Sequence, residues 1–390
     1  MKKNIKGKIL PPSSESFHHF ENFVNHNIAQ LQADNSDIRN ELDSIKADLR
    51  ESLNQLKKLD KEILIAQEEI RLFSSALFNE ISNTLNNSND KSLELFRQLP
   101  PANGNARLNQ LVTTKLMNEL DKILTANNIP YWVHYGALLG AYTRNGFIPW
   151  DDDIDICMTR KDLKKLIDVL ENNVDYHITI VYDRYVYVTQ YRFRSRNKNI
   201  PSFIDLCVWD YAYSSDDKSN MLLKKVRGQL VDELSKLDLN YWNSMNMLPR
   251  VDQNRQHTQD HSPLADEKEL LRESSIIEQI FRKYLETSRQ EHILSTSRKA
   301  KALAYSIDNM TENSRRYIFD KSIFFPLQRI KFEGIEISAP NRIVDALNTC
   351  YKDWPSIPID KSILGSRHFS EAALNDASIY EAMTNFLLKQ

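Results

Sequence analysis

Glycine is scarce in this sequence: 8 of 390 residues, about 2% where an average protein has about 7%. Such a chain has few places for left-handed turns or close backbone approach. Cysteine is scarce too. Cys157, Cys207 and Cys350 are widely spaced, with no CxxC pair, which argues against a zinc ribbon or disulfide scaffold and fits a reducing compartment. No run approaches the length of a membrane-spanning helix. Met1-Lys2-Lys3 reaches Pro11-Pro12 without the apolar segment of a signal peptide. Charge of one sign is also missing, since 51 basic and 53 acidic residues nearly cancel. No nucleic-acid partner is therefore expected from the balance of charge. The expected setting is the cytoplasm or the cytoplasmic face of a membrane, and the length allows two or three domains.

Residues 24–77 contain neither Gly nor Pro. Two rows of residues seven apart run through them. Val24, Leu31, Ile38, Ile45, Ser52, Leu59, Ala66 and Phe73 are placed at a, and Ile28, Asn35, Leu42, Leu49, Leu56, Ile63, Ile70 and Leu77 at d. Fourteen of the sixteen are apolar, which predicts a coiled-coil helix about 80 Å long. On that placement, β-branched residues at a favour a parallel homodimer, with Asn35 setting register.

The expected division is a disordered tail over 1–16, the coiled-coil helix over 17–82, a linker over 83–107 and one globular domain over 108–390. A helical insertion is expected at about 216–310, with its second helical stretch running from Leu264 to Ile307. The fold class predicted is α+β: a mixed sheet flanked by helices. Its expected strands include Ile154 to Met158, an alternating run from Tyr185 to Arg194, Phe203 to Trp209, and a hairpin over Arg329 to Ile337. A helix led by Thr159 as N-cap carries Leu163, Leu166, Ile167 and Leu170 on one face.

The chemistry is expected where the scarce glycines gather. Gly136, Gly140 and Gly146 fall within eleven residues, just before Pro149-Trp150-Asp151-Asp152-Asp153-Ile154-Asp155-Ile156. On a strand, Asp153 and Asp155 share one face while Ile154 and Ile156 take the other. Two carboxylates side by side suit a hard divalent cation, and Asp205, in a second apolar run, supplies a third. An EF-hand is excluded because Ile156 stands where its glycine is required. Against the metal reading stands a solvated acidic turn before a helix. A glycine between strand and helix also allows backbone N–H groups to reach a phosphate.

The stretch Gly136 to Leu163, GALLGAYTRNGFIPWDDDIDICMTRKDL, resembles the LicD family of nucleotidyltransferase-like phosphotransferases, which includes fukutin-like proteins. DLCVWD at Asp205 to Asp210 resembles the family's next acidic strand, and Phe325-Pro326-Leu327, Phe332-Glu333-Gly334, Ala339-Pro340 and Tyr351 resemble its C-terminal segment. The resemblance implies a nucleotidyltransferase-like fold and transfer of a phosphorylated group from a CDP-activated donor to a hydroxyl of a glycan or lipid-linked glycan. Phosphocholine from CDP-choline leads, with glycerol or ribitol phosphate as alternatives. It further implies Mg²⁺ (or Mn²⁺) on Asp153 and Asp155, with Asp205 as third ligand or general base. Gly136, Ala137, Arg144, Trp150 and Asp151 are the implied substrate contacts. The chain departs from the family at Thr143, where many members carry Arg, and at Tyr351-Lys352, which replaces Tyr-Gly. The competing reading is a coiled-coil assembly protein that keeps the fold without turnover.

Three further expectations concern single residues. Arg192, Arg194 and Arg196 read as solvated charges on an edge strand. His368 reads as structural and Cys157 and Cys207 as buried filler. Trp132, Tyr135, Trp150 and Trp209 read either as core or as a surround for a quaternary ammonium.

Overall fold

The protein is described here by a computed structural model, which describes residues 18–32, 35–53, 55, 89–244, 247–249, 267–310, 315–351, 354, 368, 374 and 376–388. It divides into two units, Met1–Thr84 and Leu85–Gln390.

In the first unit, residues 18–32 and 35–53 are helical. The seam residues Ile28, Leu31, Ile38, Leu42, Ile45 and Leu49 are all exposed. The expected tail over 1–16 and the heptads beyond residue 55 lie outside the described residues. The stagger of the two rows corrects their labels. Ile28 to Leu31 is a three-residue step and Leu31 to Asn35 a four-residue step. The a-to-d step is the shorter one. The row with Ile28, Asn35, Leu42 and Leu49 is therefore a, and the row with Val24, Leu31, Ile38 and Ile45 is d. The case for a dimer from β-branched residues at a falls with the exchange.

The second unit is α+β, built on a mixed sheet. Strands β1 (Trp132–Val133), β2 (Ile154–Thr159), β5 (Phe203–Ala212), β4 (Val188–Ser195), β3 (Tyr176–Asp183) and β6 (Met247–Pro249) lie side by side in that order. β7 (Leu294–Ser295) and β8 (Ala302–Tyr305) extend β5 at its far end, and β9 (Ile318–Asp320) pairs β8. β2 and β5 run parallel, and the other pairs are antiparallel. A separate hairpin, β10 (Gln328–Phe332) and β11 (Ile335–Ala339), turns at Glu333-Gly334, both with positive φ.

Helices flank the sheet for reasons legible in their sequences. The helix Gly104–Ala126 buries Val112, Leu116, Met117, Leu120 and Leu124, a three- and four-residue spacing that forms one apolar stripe. The helix Arg160–Leu170 starts where the Thr159 hydroxyl accepts from the Asp162 N–H, and it buries Leu163, Leu166 and Leu170.

Three expectations change. Within 83–107, Asn89–Gln98 is helical and its Phe96 is buried, and Gly104 already opens the next helix. The expected helical stretch to Ile307 stops at Gln290, because Ala302–Tyr305 is a buried strand on β5. A short apolar run reads as helix or strand by pattern alone, and the open edge of β5 decided it. β4 is no edge strand: it lies between β3 and β5.

Candidate active site

The parallel pairing of β2 and β5 sets Asp155 opposite Asp205 and Cys157 opposite Cys207. Ile154 and Ile156 are fully buried on the other face, which locks the strand's rotation. Asp153 stands at the mouth of β2. Carboxylate oxygens of Asp153, Asp155 and Asp205 all lie within 4.8 Å of one another. Burial raises the Asp153 pKa to about 6, opposed by His368 and reinforced by Asp205 and Asp152. Burial, then the Asp153 charge, also pushes Asp155 well above the usual carboxylate range. Three oxygen donors sharing one confined space match a hard divalent cation, so the residues present fit Mg²⁺ or Mn²⁺.

Arg192 reaches the trio from β4. It is Asp205's cross-strand partner, and its Nε donates to Asp205 Oδ1 at 3.2 Å. Its guanidinium lies 4.3 Å from the Phe203 ring centroid and donates to Gln190 Oε1 at 2.7 Å. The expectation of a solvated edge charge is thus corrected for Arg192, which is buried on an interior strand. Arg194 also stacks over Phe203, and Arg196 donates to the Asn173 carbonyl in solvent.

A cavity of about 310 Å³ opens over the trio. Phe96, Tyr135, Gly136, Trp150, Asp151, Tyr351 and His368 are among its walls, together with Asp153, Asp155 and Asp205. Its floor is the turn into the helix Tyr135–Arg144, where Tyr135 takes the left-handed conformation at φ 47°. Gly136 is required for space instead. A Cβ there would overlap the Asp151 carboxylate, so the glycine leaves room for that side chain. Burial, then the charges of Asp153 and Asp152, raises Asp151 well above its ordinary pKa. Gly140 similarly admits the Gly146 carbonyl.

Two polar residues of the helix Gly104–Ala126 hold the acidic loop. Asn109 Nδ2 donates to the Asp152 carbonyl at 3.0 Å, and Gln110 Nε2 to the Asp151 carbonyl at 2.8 Å. Ser202 Oγ donates to Asn109 Oδ1 at 2.6 Å. Sequence reasoning missed Asn109 and Gln110. The available signal was a polar pair placed beside the apolar stripe that faces the sheet.

His368, read as structural, stands at the acidic loop. Its backbone N–H donates to Asp152 Oδ2 at 2.8 Å, and its Nδ1 lies 3.1 Å from Asp152 Oδ1 and 3.5 Å from Asp153 Oδ2. Hydrogen bonding to Asp152 and the charges of Asp153 and Asp205 raise its pKa over the opposing effect of burial. No sequence pattern marks a lone histidine so far along the chain.

Other expected residues take different places. Arg144 turns toward the helix Asn89–Gln98, donating to the carbonyls of Phe96 and Leu99 and stacking on the Phe96 ring. It is not among the cavity walls, and neither is the buried Ala137. Trp150 is a wall, tilted against Phe96 at 6.0 Å. Trp132 and Trp209 are fully buried in a cluster with Phe324 and belong to the core. Cys157 is buried, and Cys207 Sγ approaches Asp155 at 3.9 Å. Asp210, at the far end of the acidic strand, instead pairs with Arg160, which also grips Asp308 with both terminal nitrogens.

Residues 128–232 and 236–342 match the family model described as LicD/FKTN/FKRP, nucleotidyltransferase domain. That is more than half of the chain, and the chain belongs to the LicD family. Among curated proteins, it is 40% identical over 70 residues to an uncharacterised protein of Rickettsia prowazekii, covering 18% of this chain and 26% of the relative. An uncharacterised Rickettsia typhi protein is 48% identical over 48 residues, 12% of this chain and 16% of the relative. The lipopolysaccharide cholinephosphotransferase LicD of Haemophilus influenzae is 26% identical over 137 residues, 31% of this chain and 50% of the relative. The chain thus spans half or less of the length of these relatives.

Proposed function

We propose that the protein is a metal-dependent transferase with a nucleotidyltransferase-like fold. It moves a phosphorylated group from a CDP-activated donor to a hydroxyl of a cell-surface glycan or its lipid-linked precursor. Phosphocholine from CDP-choline is the leading cargo; glycerol phosphate or ribitol phosphate from the CDP-alditols is the alternative. The observation that carries the reading is the convergence of Asp153, Asp155 and Asp205 on one cavity. Family membership supports it, as does the similarity to a cholinephosphotransferase. The aromatic walls Phe96, Tyr135, Trp150 and Tyr351 favour a quaternary ammonium head group.

Asp153, Asp155 and Asp205 would hold Mg²⁺ or Mn²⁺, which when bound neutralises phosphate oxygens during transfer. Arg192 donates to Asp205 and orients its carboxylate toward the other two, which favours a ligand role for Asp205 over that of base. Asp151 lines the cavity outside the trio, where its carboxylate is placed to take the acceptor hydroxyl's proton. Asn109 and Gln110 hold the loop carrying Asp151 to Asp153, so these carboxylates are positioned before substrate arrives.

The test is turnover of CDP-choline, CDP-glycerol and CDP-ribitol with an acceptor glycan, with calorimetric titration of Mg²⁺ and Mn²⁺. Asp153→Asn combined with Asp155→Asn should abolish cation binding and transfer. Full turnover by that double variant, folded, refutes the metal site. Failure of the wild type on all three donors refutes the donor class.

A further inference from the structure

We propose that the helical stretches 18–32 and 35–53 form a self-recognition zipper that assembles copies of this chain in parallel and in register. This stands apart from the chemistry proposed above. The described part of the helix leaves most of its apolar seam in solvent, with Ile28, Leu31, Ile38, Leu42, Ile45 and Leu49 between 47% and 69% exposed and Val24 half-buried. Water on such a stripe is unfavourable, and a partner with the same repeat removes it.

The flanking charges name the partner and its direction. With a at Ile28, Asn35, Leu42 and Leu49, the g positions are Asp34, Glu41 and Asp48, and the e positions include Arg39 and Lys46. Up to residue 53, one flank therefore carries three acids and no base, and the other two bases and no acid. In a parallel pair, each g residue faces the e residue five places further along the other chain. Asp34 then meets Arg39 of a second copy, and Glu41 meets its Lys46. In an antiparallel pair like flanks meet, acid against acid and base against base. The charge pattern thus selects a parallel second copy of this chain. Asn35 selects the register. Aligned, its amide meets the same amide of the other copy, whereas a slip of one heptad sets it against Ile28 or Leu42 and leaves it unpaired in an apolar layer.

Leu42 and Leu49 at a, with Ile38 and Ile45 at d, lean toward three or four strands. The parallel, aligned arrangement holds for any of these numbers.

The test uses the full chain carrying Ile28→Cys. The native thiols provide the background, since Cys157 and Cys350 are buried and Cys207 half-buried. Under mild oxidation, a parallel aligned zipper gives a reductant-sensitive two-chain species that the wild type lacks. Adding Arg39→Glu and Lys46→Glu makes both flanks acidic and should weaken assembly about tenfold or more in sedimentation. Mixing that chain with an Asp34→Lys, Glu41→Lys chain should restore assembly. Sedimentation of the wild type as a single chain overturns the proposal. So does an oligomer in which Ile28→Cys fails to cross-link.

Discussion

Replacing Arg192 by Leu tests the link between the sheet and the carboxylate trio. The guanidinium stands 3.2 Å from Asp205, with 8% of the Arg192 side chain and 20% of the Asp205 side chain exposed. Removing one partner of a buried ion pair costs about 3–5 kcal/mol. Asp205 keeps part of its hydration, so about 2 kcal/mol is the expected share. The lost stack on Phe203 adds roughly 0.5–1 kcal/mol. For a unit of this size each kcal/mol lowers Tm by about 2–4 °C, so the total drop is about 5–12 °C. Thermal unfolding in chelator, followed by circular dichroism, reads it. Arg192→Lys keeps the charge but loses the bonds to both Asp205 and Gln190, and it should recover about half. In a cycle with Asp205→Asn, the double variant should lose less than the sum of the singles by about 1–2 kcal/mol. An unchanged Tm for Arg192→Leu, or strict additivity in the cycle, refutes the pairing as a support of the site.

Asp153 has a pKa raised to about 6, chiefly by burial. A carboxyl with a raised pKa binds its proton more tightly folded than unfolded, so its contribution to stability falls as pH climbs from about 4 to about 6. Asp153→Asn removes that penalty. In chelator above about pH 7 the variant should be more stable than wild type by on the order of 1–2 kcal/mol, with the advantage vanishing near pH 4. Mg²⁺ should stabilise only the wild type, and a variant less stable than wild type throughout would contradict the assignment. Arg160→Met leaves Asp210 and Asp308 buried without their shared cation. The expected loss is about 3–5 kcal/mol in urea unfolding, partly recovered by Asp210→Asn with Asp308→Asn. An unchanged urea midpoint would show that the network contributes nothing.

Much of the site was legible because its signals are local. Asp153 and Asp155 lie two residues apart on a strand whose alternate residues are apolar, which sets their common face wherever the strand goes. The clustered glycines Gly136 and Gly140 do stand at close contacts, Gly136 against the Asp151 carboxylate and Gly140 against the Gly146 carbonyl. Arg144 misled for a physical reason. Its position beside the motif is local, but the carbonyls it binds, those of Phe96 and Leu99, lie at the end of the helix Asn89–Gln98 and just after it, in a stretch that read as linker.

By itself, the sequence determined the oxygen-rich trio's strand spacing, the apolar stripes of the flanking helices and the seven-residue repeat with its sorted charges. Each follows from the period of one element and needs no knowledge of its neighbours. Only the tertiary structure decided that β4 lies inside the sheet, which turns Arg192 from a surface charge into the partner of Asp205. Only it brought His368 to Asp152 across 216 residues, and Asn109 and Gln110 beneath the acidic loop. Contacts between distant segments depend on strand order and on which edge remains open for pairing, and neither is written in the period of any single element.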